Sequence, residues 1–201
     1  MLRRIFFSII SGIIPDSLFT LGAVRMLSSD YTSSRFFVIQ IGANDGRMAD
    51  QIHSYIKRYN WSGILVEPVK SYFESLQNTY RHNKNIILEN CAITDSSANK
   101  KIYLINHNYR FASRWLQGMA SFNKNIPLSY KRYLPDMDRY IMEEDVRCMT
   151  LGTLIKKHKV KKIDLLCIDT EGYDYKIIKQ LKTLPIAPRI IFYEHRNLSD
   201  K

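Results

Sequence analysis

Cysteine is scarce in this 201-residue chain, and the three present, Cys91, Cys148 and Cys167, show no C-x-x-C spacing. An odd number argues against a disulfide framework, and the missing pair argues against a zinc site. Buried, reduced thiols are expected, as in a cytoplasmic protein. Acidic residues are the minority charge, 19 against 30 Lys and Arg, for a formal net charge of +11. The excess is uneven, with 14 Lys and Arg against 5 Asp and Glu between residues 100 and 162. It is either a solvated basic face or an attraction to an acidic partner such as a phosphorylated sugar, nucleotide, nucleic acid or anionic lipid. Long hydrophobic runs are missing too. The stretch IFFSIISGII at residues 5–14, preceded by Arg3 and Arg4, is too short for a bilayer, which takes about 20 residues. No small-x-small cleavage site follows it cleanly. An N-terminal helical segment over residues 1–35 is expected, with a peripheral membrane contact through residues 5–14 as the alternative.

There is also no repeat, no low-complexity tract and no Gly/Ser linker. What is present from residue 36 onward is alternation. FFVIQIG (36–42) is an unbroken apolar run, as in a central strand buried on both faces. Met48, Ile52, Tyr55, Ile56 and Tyr59 then fall at helical spacing. GILVEP (63–68) reads as a second strand, and Val69, Tyr72, Phe73, Leu76 and Tyr80 mark one face of a second helix. NIILENCAI (85–93) and KIYLIN (101–106) read as further strands. Residues 107–145 break the rhythm. They are basic and aromatic, with Tyr109, Phe111, Trp115, Phe122, Tyr130, Tyr133 and Tyr140, and show no period. An irregular segment of that length is expected to be a lid or binding loop, or a small subdomain packed on its aromatics. Regularity resumes with VRCMT, a helix over 151–158, the strand in KIDLLCIDTEG (162–172), a helix around Ile177, Ile178 and Leu181, and RIIFYEH (189–195). The pattern predicts an α/β domain over 36–201, a parallel sheet with helices on both faces. In such sheets ligands sit at the carboxyl ends of the strands.

Those ends carry the chemistry. GANDG closes the first strand. Gly42 and Gly46 allow a tight turn, and the turn feeds a helix start. It is neither G-x-x-x-x-G-K-[ST] nor G-x-G-x-x-G, since position 44 is Asn and position 47 is Arg. Glu67 ends the second strand 21 residues beyond Gly46, the spacing of an acid that accepts from ribose hydroxyls. Asn90 and Asp95 flank the third strand end and could bond an adenine edge, with small Ala92 leaving room for the ring. Asp169 and Glu171 end the fourth strand, Glu194 and His195 the fifth. Carboxylates and an imidazole in one cleft suit a general base or an oxygen-rich divalent metal site such as Mg, with Asp169 and Glu194 as ligands; structural salt bridges are the plain alternative. A dinucleotide would want the third glycine and ATP a lysine in the turn. A sulfonium nucleoside, S-adenosylmethionine, fits the turn and the acid best.

FVIQIGANDGRMAD, WSGILVEP, NCAITD, MASF, TLGTLIKKH, IDLLCIDTEGYD and IIFYEH occur in the order seen in FkbM-family methyltransferases, and the chain resembles that family from residue 36 to 195. The resemblance implies a class I, Rossmann-like fold and methyl transfer from S-adenosylmethionine to a hydroxyl, often on a sugar. It implies that Gly42, Asn44, Asp45 and Gly46 line the methionine end, that Glu67 holds the ribose, that Ala92 and its neighbours hold the adenine, and that Asp169 and Glu171 face the acceptor. Two departures stand out. Gln40 replaces the acid common at its position, so Asp45 is expected to help meet the cofactor's ammonium. The usual last two strands after YEH are missing, which leaves an edge that a second copy of the chain could complete. The expected function is O-methylation of a sugar or glycan, phosphorylated or not, with Asp169 or His195 as base. The alternatives are a binding domain that transfers nothing and a nucleic-acid methyltransferase. The latter lacks support from its motif, because DTEG stands where Asn/Asp-Pro-Pro-aromatic would be.

Overall fold

A computed structural model describes residues 5–9, 24, 29–48, 50, 52–106, 116, 118–133 and 135–194. Its centre is a six-stranded sheet with every pairing parallel. The strands are β1 (Ile5–Ile9), β11 (Ile190–Glu194), β10 (Leu165–Ile168), β2 (Phe37–Ile41), β3 (Ser62–Val66) and β4 (Ile86–Glu89), in that spatial order. The chain lays β2, β3 and β4 outward in one direction, then returns to place β10 and β11 on the other side of β2. Strand order therefore reverses between β2 and β10, where a crevice opens at the carboxyl ends.

Alternation along the strands builds two cores. Val38 and Leu65 face one side, where they pack with Tyr55 and Ile56 of α1 (His53–Tyr59) and with Leu76 and Tyr80 of α2 (Lys70–Tyr80). Ile39, Ile41, Ile64 and Val66 face the other side. There they meet Leu154 and Ile155 of α4 (Leu151–Lys157) and Ile177 of α5 (Asp174–Gln180). Helices on both faces are thus a direct product of the two-residue strand period. Thr150 caps α4, its hydroxyl oxygen accepting from the Thr153 N–H.

Three expectations are corrected. Ile5–Ile9 is a strand, not the start of a helix. It pairs in register with β11, Ile5 opposite Ile190, and so occupies the edge that was expected to be open. A five-residue run rich in Ile and Phe suits a strand as well as a helix, and the free ladder of β11 decides between them. Residues 1–4, 10–23 and 25–28 of the expected N-terminal helical segment lie outside the described residues, and residues 29–35 form turns and bends rather than a helix. The third apolar run splits at Asn90 into β4 and the short β5 (Ala92–Ile93), which leaves the main sheet to pair with β9 (Cys148–Met149). Asn90 makes the break, its Nδ2 donating to the carbonyls of Glu67 and Pro68.

The segment after residue 106 is also more regular than its sequence suggests. β6 (Lys100–Ile105) lies between β7 (Ala120–Ser121) and β8 (Ile141–Val146) in an antiparallel sheet, with the one-turn α3 (Asn125–Leu128) and two 3-10 turns between β7 and β8. Ile105, Leu116, Met119, Tyr130 and Met137 form its own small core. Tyr109, Phe111 and Trp115 lie outside the described residues. Cys91, Cys148 and Cys167 are free and buried, as expected. No helix among the described residues is long and apolar enough to cross a membrane.

Candidate functional site

A cavity of about 300 Å³ opens where strand order reverses. Its floor is the carboxyl ends of β2, β3, β10 and β11, and its roof comes from residues 118–122 and Tyr130. Among the described residues lining it are five carboxylates, Asp50, Glu67, Asp169, Glu171 and Glu194, and no Lys, Arg or His. On a chain of net charge +11 this is a reversal of sign. Part of the basic excess is held elsewhere in ion pairs. Arg147 and Lys157 bond Glu89, Lys100 bonds Asp95, and Lys131 bonds Asp138.

The turn after β2 is built by backbone constraint. Gly42 has φ +84°, and a Cβ on it would lie 1.7 Å from the Asp169 carbonyl oxygen. The end of β2 therefore runs hard against the end of β10, with Asp169 N–H donating to the Ile41 carbonyl. Asn44 follows at φ +49°, in the left-handed region. Glu67 holds it, Oε2 accepting from the Asn44 N–H at 2.8 Å and Oε1 from the Val69 N–H at 2.9 Å. The carboxylate expected at the ribose is thus also the clasp of the turn.

The roof is tied to both walls. Asn44 Nδ2 donates to the Gly118 carbonyl at 3.0 Å. On the opposite wall the Ser121 hydroxyl donates to the Glu171 carbonyl at 2.7 Å, and Glu171 too has a left-handed backbone, φ +50°. Both of these turn residues, Asn44 and Glu171, line the cavity, so the roof is tied to the two turns that border it.

Electrostatics follow from depth and crowding. Asp169 follows β10 at the cavity wall, with protein packed densely around it although its side chain is exposed to the cavity. Desolvation raises its carboxyl well above the ordinary carboxylate range, and the charges of Glu171, Glu194, Asp174 and Glu67 add to it. Burial pushes Glu67 up to about 7 against the pull of its two backbone N–H donors. Burial also raises Asp50. Oxygens of Asp169, Glu171 and Glu194 all lie within 4.8 Å of one another.

These shifts set a pH dependence of stability. A raised Glu67 binds its proton more tightly in the folded than in the unfolded chain. Its neutral form therefore stabilises the fold below about pH 4.5, and that contribution is lost as pH rises toward 7. The effect is on the order of 3 kcal/mol. Urea denaturation of the free protein should give a lower unfolding free energy at pH 8 than at pH 5. Glu67→Gln should flatten that difference, whereas an equally steep slope in the variant would place its origin elsewhere.

Of the residues singled out from sequence, Gln40, Gly42, Asn44, Glu67, Ala92, Asp169, Glu171 and Glu194 come together at the cavity. Asp45, Gly46, Asn90 and Asp95 do not line it. Asp45 turns its Oδ1 to the N–H groups of Arg47 and Met48. Gly46 packs against Leu76 and Tyr80. Asn90 ties the β3 loop, and Asp95 accepts from Lys100 and from the Tyr173 hydroxyl. His195 lies outside the described residues. Asp50, Tyr72, Met119 and Thr170 line the cavity without having been singled out.

The family model for the methyltransferase FkbM domain matches residues 40–201, from the end of β2 through every strand-end acid just described. The chain belongs to this family. No curated protein and no solved structure matches it. The FkbM domain accounts for the α/β architecture and makes the chain a methyltransferase. Its match begins at Gln40, so β1 and residues 29–39 stand outside it.

Proposed function

We propose that this FkbM-domain methyltransferase uses S-adenosylmethionine and methylates a hydroxyl of a neutral sugar, glycan or related small molecule. The observation that carries the reading is that every charged side chain described in the lining, at the point where strand order reverses, is a carboxylate. Such a lining favours a cationic cofactor and disfavours an anionic one. Gly42 puts no side chain between the cavity and the end of β2, and Glu67 stands at the ribose distance along the sequence. Small Ala92 and Ile93 offer a flat apolar wall for a base.

Bound S-adenosylmethionine would supply an electrophilic methyl carbon on sulfur. The chain's own part is to place an acceptor oxygen in line with it and to accept the hydroxyl proton. Asp169 is the base of this proposal. Its raised affinity for a proton makes it a stronger base than an exposed carboxylate, and Glu171 and Glu194 maintain that affinity. Phe122 and Tyr130 on the roof give apolar faces for a sugar ring. A phosphate on the acceptor would meet like charge inside the cavity, so it would have to remain outside, toward the basic residues of the 100–162 stretch. The same lack of cations inside argues against a nucleic-acid backbone entering.

A second reading adds a divalent cation on Asp169, Glu171 and Glu194, favoured by the close approach of their oxygens. In that case the metal site would orient the acceptor hydroxyl, and Asp169 would act as ligand rather than base. The test is transfer of a labelled methyl group to neutral sugars, amino sugars, sugar phosphates and RNA, with magnesium or with EDTA. Label in a neutral sugar as an alkali-stable ether is the expected result. Label confined to RNA would overturn the substrate class, and complete loss in EDTA would favour the metal reading.

A further inference from the structure

Two buried oxygen atoms at the floor of the cavity have no hydrogen-bond donor. Gln40 is 8% exposed and leaves its Oε1 unbonded, and Asp50 leaves its Oδ2 unbonded. Unmet buried acceptors are rare in folded proteins. The two residues are neighbours, the Gln40 amide helping to stabilise the Asp50 charge. Asp50 is also held in place, because its other oxygen accepts from the Ile52 and His53 N–H groups at 2.8 and 3.0 Å and so caps α1. Both residues line the cavity. An amide oxygen with no donor, beside a buried carboxylate with one oxygen out of hydrogen-bond range of any donor and little but that amide and two backbone N–H groups to offset its charge, calls for a ligand with several N–H groups and a positive charge.

We propose that Gln40 and Asp50 form an ammonium-binding subsite, which on the reading above receives the amino group of the cofactor's amino-acid end. The assignment rests on that reading and changes the roles within it. The carboxylate missing from position 40 of β2 is supplied from ten residues further along, at the foot of α1. Asp45, the nearer acid in sequence, turns its Oδ1 to backbone N–H groups instead. Gln40 and Asp50 act as a pair, one contributing charge and the other a second acceptor, so that a three-donor ammonium is met from two sides.

Calorimetric titration with two probes separates this proposal from the cofactor reading. S-Adenosylhomocysteine carries the nucleoside and the amino-acid end, and 5′-methylthioadenosine carries the nucleoside alone. Asp50→Asn keeps an oxygen for the α1 cap and removes the charge. It should weaken S-adenosylhomocysteine at least tenfold and leave 5′-methylthioadenosine within twofold of the wild type. Adding Gln40→Glu to that variant moves the carboxylate across the pair and should restore most of the loss. Equal weakening of both probes would mean that Asp50 only shapes the turn, and unchanged binding of S-adenosylhomocysteine would remove the ammonium subsite; either result overturns the proposal. A wild type that binds neither probe would instead overturn the nucleoside reading beneath it. Should Asp50→Asn fail to fold in a thermal melt, Gln40→Leu, which leaves the cap intact, is to be read in the same way, with at least a threefold loss for S-adenosylhomocysteine alone.

Discussion

Gly42→Ala will not yield a stably folded protein. The added Cβ would sit 1.7 Å from the Asp169 carbonyl oxygen and 2.9 Å from its carbonyl carbon. Both atoms are backbone, so no side chain can rotate away, and β2 and β10 are neighbouring central strands that cannot part without opening the sheet. The φ of +84° adds about 1–2 kcal/mol for any residue with a Cβ. Together these exceed the roughly 4–5 kcal/mol that marks an exceptional single substitution. Soluble yield and a thermal melt measure it, with Gly152→Ala as the control, since a Cβ there would meet Leu184 at an ordinary 3.6 Å. A Gly42→Ala protein melting within a few degrees of the wild type would show that the two strand ends separate far more easily than the geometry implies.

If Asp169 is the base proposed above, Asp169→Asn should fold, bind cofactor and transfer methyl groups about 10²–10⁴-fold more slowly, the usual cost of losing a general base. The shape of the loss is as informative as its size. The base must be ionised to accept a proton, and burial with neighbouring charge holds the Asp169 carboxyl well above its ordinary range. The wild-type rate should therefore climb with pH through that elevated value. The asparagine variant should keep only a small, flat residual. Glu171→Gln removes one of the charges that raise Asp169, so its profile should shift to lower pH while its plateau changes less. A profile that stays put in Glu171→Gln and remains sloped in Asp169→Asn would assign the proton to another group.

Much of this site was legible because the main-sheet strands are continuous apolar runs with an abrupt polar end. Glu67, Asp169 and Glu194 were found by that punctuation alone. The aspartates were harder to sort. Asp45 and Asp95 also come soon after strand ends, yet Asp45 bonds turn N–H groups and Asp95 pairs with Lys100 and Tyr173. A short carboxylate beside a glycine serves backbone N–H groups as readily as a ligand. Asp50 was missed for the opposite reason. It has no strand end before it, and only the fold-back of residues 42–50 carries it under Gln40. The strand Ile141–Val146 was invisible because three consecutive acids interrupt it. It forms because Lys101 stands opposite Asp145 in the antiparallel register and bonds Glu143 diagonally at 3.3 Å. The 5–9 strand depends on β11, some 185 residues away, and no local pattern announces so distant a partner.

That carboxylates are the only charged side chains described in the cavity also bears on how the site resets. On the proposed reading, Asp169 would face a cationic cofactor before transfer and hold the acceptor's proton after it, so that the net charge inside the cavity would not change. That proton would have to leave Asp169 before the cavity could again favour a fresh cationic cofactor, so the turnover rate of such an enzyme should be sensitive to heavy water even if the methyl step itself is not.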